Sequence, residues 1–151
     1  MDWHESLGVY GATFLVCIVG GFIPIINSEV YLGAMAAMST RAAVVPLAVA
    51  ATLGQMTAKT ALFMGGRGLL RLPIARSSER MNRIIARAQS WRGPIELFVF
   101  ISAVAGIPPF HLVAVLGGTI KLSVPRFIVI GLTGRLIRFL VIAGGVNAAA
   151  G

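Results

Sequence analysis

Five ionisable side chains lie within apolar stretches of this sequence, where an ionised group is unfavourable. They are Glu29, Lys59, His111, Arg135 and Arg138. Placing an ionised group at the centre of a bilayer costs about 3 kcal/mol, and such groups usually mark a binding site or a pathway. Guanidinium groups match the oxygens of phosphate and of carboxylate. The set therefore predicts a site in which Glu29 faces Arg135 or Arg138 and in which an anion can bind.

Each of these residues also has a simpler interpretation. Arg135 and Arg138 are three residues apart, so a helix would present both on one face, and with Glu29 they could form an ion pair that only fixes helix packing. Lys59 could extend along its neighbours towards water. His111 could simply hydrogen-bond a carbonyl group. The residue types alone leave these alternatives open.

Asn27 and Ser28 directly precede Glu29, just after a proline-containing break in "FIPIINSEV". Both types are typical N-caps, which accept hydrogen bonds from the first amides of a helix. A helix N-terminus inside a membrane is also the positive end of a dipole and can hold an anion. Asn27 and Ser28 are therefore candidates for capping and for ligand binding alike.

Membrane helices must position these residues. Of the 151 residues, 57% are hydrophobic and 12% are charged, whereas about 25% of a soluble domain is charged. The apolar stretches are rich in Ala, Leu, Gly and Ile and lack the alternation of a barrel strand, which indicates helices. We expect an all-α polytopic membrane protein of one domain. The acidic start, Met1 to Glu5, lacks the positive charge of a signal peptide, so no cleavable signal is expected.

No motif for covalent chemistry is present. Cys17 is the single cysteine, and no Cys/His spacing is typical of a metal site. P-loop and catalytic-triad patterns are also missing, so we expect no enzyme, no metal and no cofactor. The net charge of +8 comes from 13 Lys/Arg against 5 Asp/Glu. Because these residues flank apolar stretches, topology and anionic lipid explain them better than nucleic acid.

Apolar and basic stretches divide the chain, which we treat as one membrane domain over 1–151. We predict a hairpin over 6–40, a crossing helix over 44–66, a basic cytoplasmic segment over 67–92, a second hairpin over 94–120 and a second crossing helix over 125–148. Each hairpin stretch is too long for one helix of about 20 residues and too short for two. Pro24 and Pro108-Pro109 interrupt them. We expect pairs of half-helices that enter the bilayer and return to the same side.

This order of segments predicts an internal duplication. One crossing separates the re-entrant hairpins, so they enter from opposite faces and form an inverted repeat whose tips meet near the midplane. By the positive-inside rule, the arginine-rich segment 67–92 is expected in the cytoplasm, and both termini are then expected outside. Within it, Arg80, Arg83 and Arg87 alternate with apolar residues at helical spacing, which predicts an amphipathic helix on the cytoplasmic leaflet. Specific phospholipid recognition by these arginines is the alternative to a purely topological role.

Three stretches resemble the DedA membrane-protein family, also called the VTT or SNARE-associated domain family. "FIPIINSEVYLGAMAAM" and "LAVAATLGQMTAKTALFMGGRGL" resemble its N-terminal half. "SAVAGIPPFHLVAVLGGTIKLSVPRFIVIGLTGRLIRF" resembles its second hairpin and last helix, especially in the small YqaA-like branch. The resemblance implies facing re-entrant hairpins, and flippase activity on undecaprenyl phosphate or phosphatidylethanolamine or scramblase activity, with proton coupling proposed. It also implies that Glu29 is the hairpin carboxylate, that Arg135 and Arg138 are the basic positions of the last helix, and that Gly66-Arg67-Gly68 forms a turn.

The likeness covers Gly21 to Gly145, with one departure. Many DedA proteins have an arginine in the second hairpin, near a Gly-Arg-Phe-x-Pro motif. Here the corresponding stretch reads "AGIPPFH", from Ala105 to His111. The resemblance therefore does not specify undecaprenyl phosphate, and His111 is the candidate for the place of that arginine.

These observations together predict transbilayer lipid translocation. A flippase or scramblase would pass phospholipid or polyprenyl-phosphate head groups along a polar path between the hairpin tips. The alternatives are a proton- or ion-coupled transporter of a small solute, and a membrane scaffold with a basic recruiting face. Expected partners are membrane lipids, mainly anionic ones, and a homo-oligomer is compatible with this class. The expected location is a bacterial-type cytoplasmic (inner) membrane.

Overall fold

The computed structural model describes residues 3–69, 79, 83, 86 and 95–151. Within them lie six helices: α1 (Trp3–Phe22), α2 (Ser28–Ala37), α3 (Arg41–Leu69), α4 (Ile95–Ala105), α5 (Phe110–Thr119) and α6 (Val124–Ala150). These residues contain no strand. For this part of the chain the predicted all-α fold class is confirmed.

Three stretches in the described residues are long and apolar enough to cross a membrane. They are His4–Phe22, Arg41–Gly68 and Val124–Ala150. The helices α2, α4 and α5 have only 10, 11 and 10 residues. At about 1.5 Å per residue, each is about 15 Å long, half of the ~30 Å hydrocarbon core. The lengths and composition are those of a membrane protein that combines full-length and half-length helices.

Proline occurs at both breaks that the sequence predicted. The helix α1 ends at Phe22, before Pro24, and α2 begins at Ser28. In the second half α4 ends at Ala105, before Pro108-Pro109, and α5 begins directly after them. Proline ends a helix here because it has no amide to donate and its ring clashes with the preceding turn.

Two local expectations differ from the structure. A pair of half-helices was expected over 6–40, but α1 has 20 residues and α2 has 10, because no proline interrupts the chain between Trp3 and Pro24. The arginine turn implied at Gly66-Arg67-Gly68 is helical, since α3 continues to Leu69. Gly66 serves close packing instead: a Cβ there would lie 3.0 Å from the carbonyl carbon of Val115 in α5.

The helices α3 and α6 pack against each other in opposite directions and form the centre of the bundle. The first half of α3 packs on the second half of α6 around Leu47 and Phe139, with residues of α1 and α2. The second half of α3 packs on the first half of α6 around Phe63 and Phe127, with residues of α4 and α5. The rings of Phe63 and Phe127 stack with centroids 4.4 Å apart. The pair α1–α2 therefore covers one half of the central pair α3–α6, and the pair α4–α5 covers the other half.

The breaks in both helix pairs lie beside the middle of a long helix. Gly21, one residue before the end of α1, packs on Ala58 of α3. Val104, one residue before the end of α4, accepts a 2.8 Å hydrogen bond from Arg138 of α6. Although α1 has 20 residues, it therefore stops near the midpoint of α3.

The open ends of the two pairs lie at opposite ends of the bundle. Asn147, near the end of α6, donates 2.8 Å hydrogen bonds to the carbonyl groups of Ala36 and Ser39, where α2 ends. Arg67, near the end of α3, donates a 2.7 Å hydrogen bond to the carbonyl of Leu122, just after α5. Since α3 and α6 are antiparallel, α2 and α5 end at opposite ends of the central pair.

Most of the basic segment 67–92 lies outside the described residues. Arg80 and Arg87 are among the residues not described. Arg83 is exposed, with its Nη2 atom 3.8 Å from a carboxylate oxygen of Glu79. The amphipathic helix and its lipid-facing role therefore stay predictions.

Candidate functional site

A polar cavity of about 250 Å³ lies where both breaks meet the middle of α3 and α6. It is lined by Gly20, Pro24, Ile26, Asn27, Ser28, Glu29, Gln55, Lys59, Gly106, Pro109, Phe110, His111, Arg135 and Arg138. All seven residues that the sequence predicted for a substrate-binding site are in this lining. Gln55 is the central residue of α3, which spans 41–69, so the cavity lies halfway along the central helix pair.

Arg138 holds Glu29 in a bidentate ion pair. Its Nε atom donates to Oε1 of Glu29, and its Nη2 atom donates to Oε2 at 2.8 Å. Its Nη1 atom donates to the Val104 carbonyl, also at 2.8 Å. The predicted pairing of Glu29 with the last helix is confirmed. Glu29 lies in α2, just after the first break, and Val104 lies in α4, just before the second break. Arg138 therefore connects both breaks to α6.

Arg135 is placed differently, although it is only one turn away. Its Nη1 atom lies 3.7 Å from Oε1 of Glu29, which is too long for a hydrogen bond, and its side chain is 8% exposed. The guanidinium carbon lies 4.9 Å from the ring centroid of Phe110 and 5.9 Å from that of Phe139. Within the described residues it donates no hydrogen bond, and its Nε atom is buried without a partner. Aromatic faces therefore hold this cation and leave its N–H groups unused.

The helix α3 contributes Lys59 and Gln55 to the cavity, and both are buried. The Lys59 ammonium donates a 2.6 Å hydrogen bond to the Gly21 carbonyl at the end of α1. Gln55 donates a 2.9 Å hydrogen bond to the Ser28 hydroxyl. Sequence reasoning missed Gln55, although its place four residues before Lys59 puts both on one helix face. Lys59 satisfies a carbonyl inside the bundle, so the alternative in which it extends to water is wrong for this structure.

The first turns of α2 and α5 both line the cavity. Asn27 Oδ1 accepts hydrogen bonds from the amides of Glu29 and Val30, at 3.0 and 3.4 Å. Of the two predicted caps, Asn27 acts as one, while Ser28 is buried against Gln55. The N-cap residue of α5 is Pro109, whose side chain provides no hydrogen bond to the helix. His111, the next polar residue, is half-buried and lines the cavity.

Positive charge exceeds negative charge around this cavity. Among its described lining residues, Lys59, Arg135 and Arg138 are cationic. Glu29 is the carboxylate in the same set, so the formal balance is three positive against one negative with His111 neutral. Unpaired charge is costly where water is scarce, so a bound anion would stabilise this arrangement. The described residues include no group of three His, Cys, Asp or Glu that could hold a metal ion.

No protein-family profile, curated protein or solved structure matches this sequence. The resemblance to DedA proteins thus stays a hypothesis, and the function is argued from the geometry of the cavity.

Proposed function

We propose that this protein moves lipids with phosphate head groups between the two leaflets of a membrane. The observation that carries the proposal is the cavity itself. It combines an excess of cations with a position halfway along two helices of membrane-spanning length. A charged head group that crosses a bilayer without such a site must give up its hydration in hydrocarbon. Arginine and lysine would replace that water while the acyl chains stay in the lipid.

Re-entrant hairpins would bring this site to the midplane. Two features support them: α2, α4 and α5 are too short to cross alone, and α1 ends beside the midpoint of α3. Non-helical backbone at membrane depth is tolerated where it lines a wet cavity. Both breaks line the cavity, as this arrangement requires.

An inverted repeat is supported by spacing and by contacts. Ser28 and Phe110, the starts of α2 and α5, are 82 residues apart, and Arg41 and Val124, the starts of α3 and α6, are 83 apart. The first helix of each half packs on its own long helix, and α2 and α5 each pack on the long helix of the other half. Such repeats place substrate sites at the interface between the halves. Cytoplasmic placement of 67–92, an inner-membrane location and DedA membership belong to the same proposal.

Translocation needs no covalent step. In our proposal Glu29 and Arg138 keep the two hairpins together, and Arg135 and Lys59 neutralise the phosphate as it passes. The carboxylate of Glu29 limits how tightly the phosphate is held, because like charges in one cavity repel. This protein would then act as a transporter and not as an enzyme.

Reconstitution tests the function. The full chain in liposomes should move head-group-labelled anionic phospholipid across the bilayer without releasing a trapped small solute. Arg135→Gln should abolish most of this movement, whereas Arg126→Gln, which removes an exposed arginine of the same helix, should not. Solute flux without lipid movement would support the small-solute transporter instead. Lipid movement that depends on Arg80, Arg83 and Arg87 but not on Arg135 would also contradict the proposal.

A further inference from the structure

Two helix N-termini line the cavity, and only that of α2 has a side-chain cap. In α2, the amides of Glu29 and Val30 donate to Asn27 Oδ1. In α5, Pro109 supplies no side-chain acceptor. The amides of Phe110 and His111 donate to no atom of the described residues, whereas the next two amides bond to the Pro109 carbonyl. The start of α5 thus keeps open the donors that an oxyanion accepts.

A second, independent feature points to a ligand at the same place. Arg135 is buried, with a side chain 8% exposed, yet within the described residues it donates no hydrogen bond. Its guanidinium group lies over the ring of Phe110, which is the first residue of α5. A buried cation without hydrogen bonds costs free energy unless another group satisfies it. Arg135 and the open amides are therefore unsatisfied donors side by side.

The first helix pair offers no equivalent place for an anion. The first turn of α2 carries the Glu29 carboxylate, which already accepts two hydrogen bonds from Arg138. A second anion there would meet a capped N-terminus and a negative charge. The first turn of α5 has no side-chain cap and contains no acidic residue of its own. An anion there meets the Glu29 carboxylate only across Arg135, whose Nη1 atom lies 3.7 Å from Glu29 Oε1.

We propose that the open N-terminus of α5 and the guanidinium of Arg135 bind a phosphate oxyanion. Lys59 of α3 adds positive charge to the same cavity, and its ammonium uses only one of its three N–H groups on Gly21. The site is thus one-sided within an otherwise two-fold arrangement: the second pair binds the anion and the first pair supplies the counter-charge. This inference rests on the proposed function for the source of the phosphate, a lipid head group, but the same donors would accept free phosphate.

Competition by an added cap tests the role of the helix N-terminus. In Pro109→Asn, the new side chain can accept hydrogen bonds from the α5 amides, as Asn27 does in α2. Pro109→Ala changes the same position without adding an acceptor. Inorganic phosphate, titrated into the purified full chain at constant ionic strength, should raise the unfolding temperature saturably. We expect about tenfold weaker phosphate binding to the Asn variant than to the Ala variant. Equal affinities would overturn the assignment.

A second variant keeps the test decisive if Pro109→Asn does not fold. Arg135→Gln should remove saturable stabilisation by phosphate, and Arg126→Gln should retain it; retention in both would also overturn the site. Vesicles of phosphatidylcholine with and without phosphatidic acid distinguish a lipid head group from free phosphate: only the vesicles with phosphatidic acid should raise the unfolding temperature if a lipid head group binds. Cap-sensitive phosphate binding without lipid movement would reject the proposed function and keep this site. Lipid movement together with equal phosphate affinities of the two Pro109 variants would reject this site and keep the proposed function.

Discussion

Arg135 and Arg138 occupy one face of α6, yet their guanidinium groups differ in hydrogen bonding. Arg138 donates to both Glu29 oxygens and to Val104, so its donors serve the fold. Arg135 rests on two aromatic rings and donates no hydrogen bond within the described residues. In our proposal Arg138 therefore positions the two breaks, and Arg135 binds the anion. The three-residue spacing in the sequence could not distinguish these roles.

Glu29→Gln should separate architecture from transport. The amide keeps an acceptor for Arg138 but removes the carboxylate charge, so the cavity becomes more positive and should hold phosphate more tightly. We expect a folded protein with higher phosphate affinity and greatly reduced lipid movement, measured by thermal unfolding and by liposome assay. Glu96→Gln, which changes an exposed carboxylate paired with Arg126, is the matched control. Normal transport with a lowered unfolding temperature would make Glu29 purely architectural.

Lysine replacements should divide the two arginines by their effects. Arg138→Lys keeps the charge but loses the fork that joins Glu29 to Val104, so we expect stability to fall by about 1–3 kcal/mol. Arg135→Lys loses no hydrogen bond seen within the described residues and should weaken phosphate binding with a smaller change in stability. Denaturation in detergent and phosphate titration of both variants measure this. The opposite ranking of stabilities would refute the assignment of roles.

At the scale of elements, close contacts through glycine set how α3 and α5 pack. A Cβ on Gly66 would overlap the Val115 carbonyl of α5, whereas a Cβ on Gly65 would meet no atom within 4 Å. Overpacking a close contact costs about 1–3 kcal/mol, and alanine favours a helix over glycine by up to about 1 kcal/mol. Gly66→Ala should therefore lower the unfolding temperature, while Gly65→Ala leaves it unchanged or raises it. Equal behaviour would mean that the helices separate without cost.

Asn147 of α6 binds the far end of α2 through two hydrogen bonds. Asn147 donates to the carbonyl groups of Ala36 and Ser39. Ala36 also accepts a 3.3 Å hydrogen bond from the Ser39 amide, so Asn147 adds a second bond at the end of the helix. Asn147→Ala should cost about 1–2 kcal/mol for the two lost bonds. Thr133→Ala is the control, since that exposed hydroxyl only bonds within its own helix. Protease sensitivity near residue 38 reports the loosening, and an unchanged cleavage rate would argue against this anchor.

The sequence predicted the breaks and the long helices well, because proline and apolar length act locally. It predicted a half-helix where α1 has 20 residues, because no local feature of the sequence shows whether a helix of this length crosses the membrane or stops beside the middle of α3. Ionisable residues in apolar surroundings were found because their cost is visible in composition. Gln55, the aromatic faces around Arg135 and the missing cap on α5 depend on packing between distant segments, so neither periodicity nor charge patterning revealed them.

The part of the chain that the structure describes has an apolar cluster towards each end of the bundle and a polar layer between them. The cluster around Leu47 and Phe139 and the cluster around Phe63 and Phe127 contain the largest fully buried apolar side chains of the described residues. Between them lie the groups that cost most to desolvate, and they partly satisfy one another through Arg138, Lys59 and Gln55. The apolar clusters thus stabilise the two ends, and the proposed anion would bind in the charged layer between them.

Membrane topology is the test of the whole arrangement, and α1 decides it. By length α1 could cross the bilayer, which would put Ser6 and Met38 on opposite faces; a re-entrant pair puts them on the same face. Single cysteines at Ser6, Met38 and Lys121 in a Cys17→Ala background, probed with an impermeant thiol reagent, distinguish these cases. Met38 and Lys121 are not covered by other residues of the bundle, so burial inside the protein would not explain a lack of reaction. We expect Ser6 and Met38 to react from outside and Lys121 from the cytoplasm, because one crossing by α3 separates them. Reaction of Ser6 and Met38 from opposite faces would remove the first re-entrant hairpin and the inverted repeat with it.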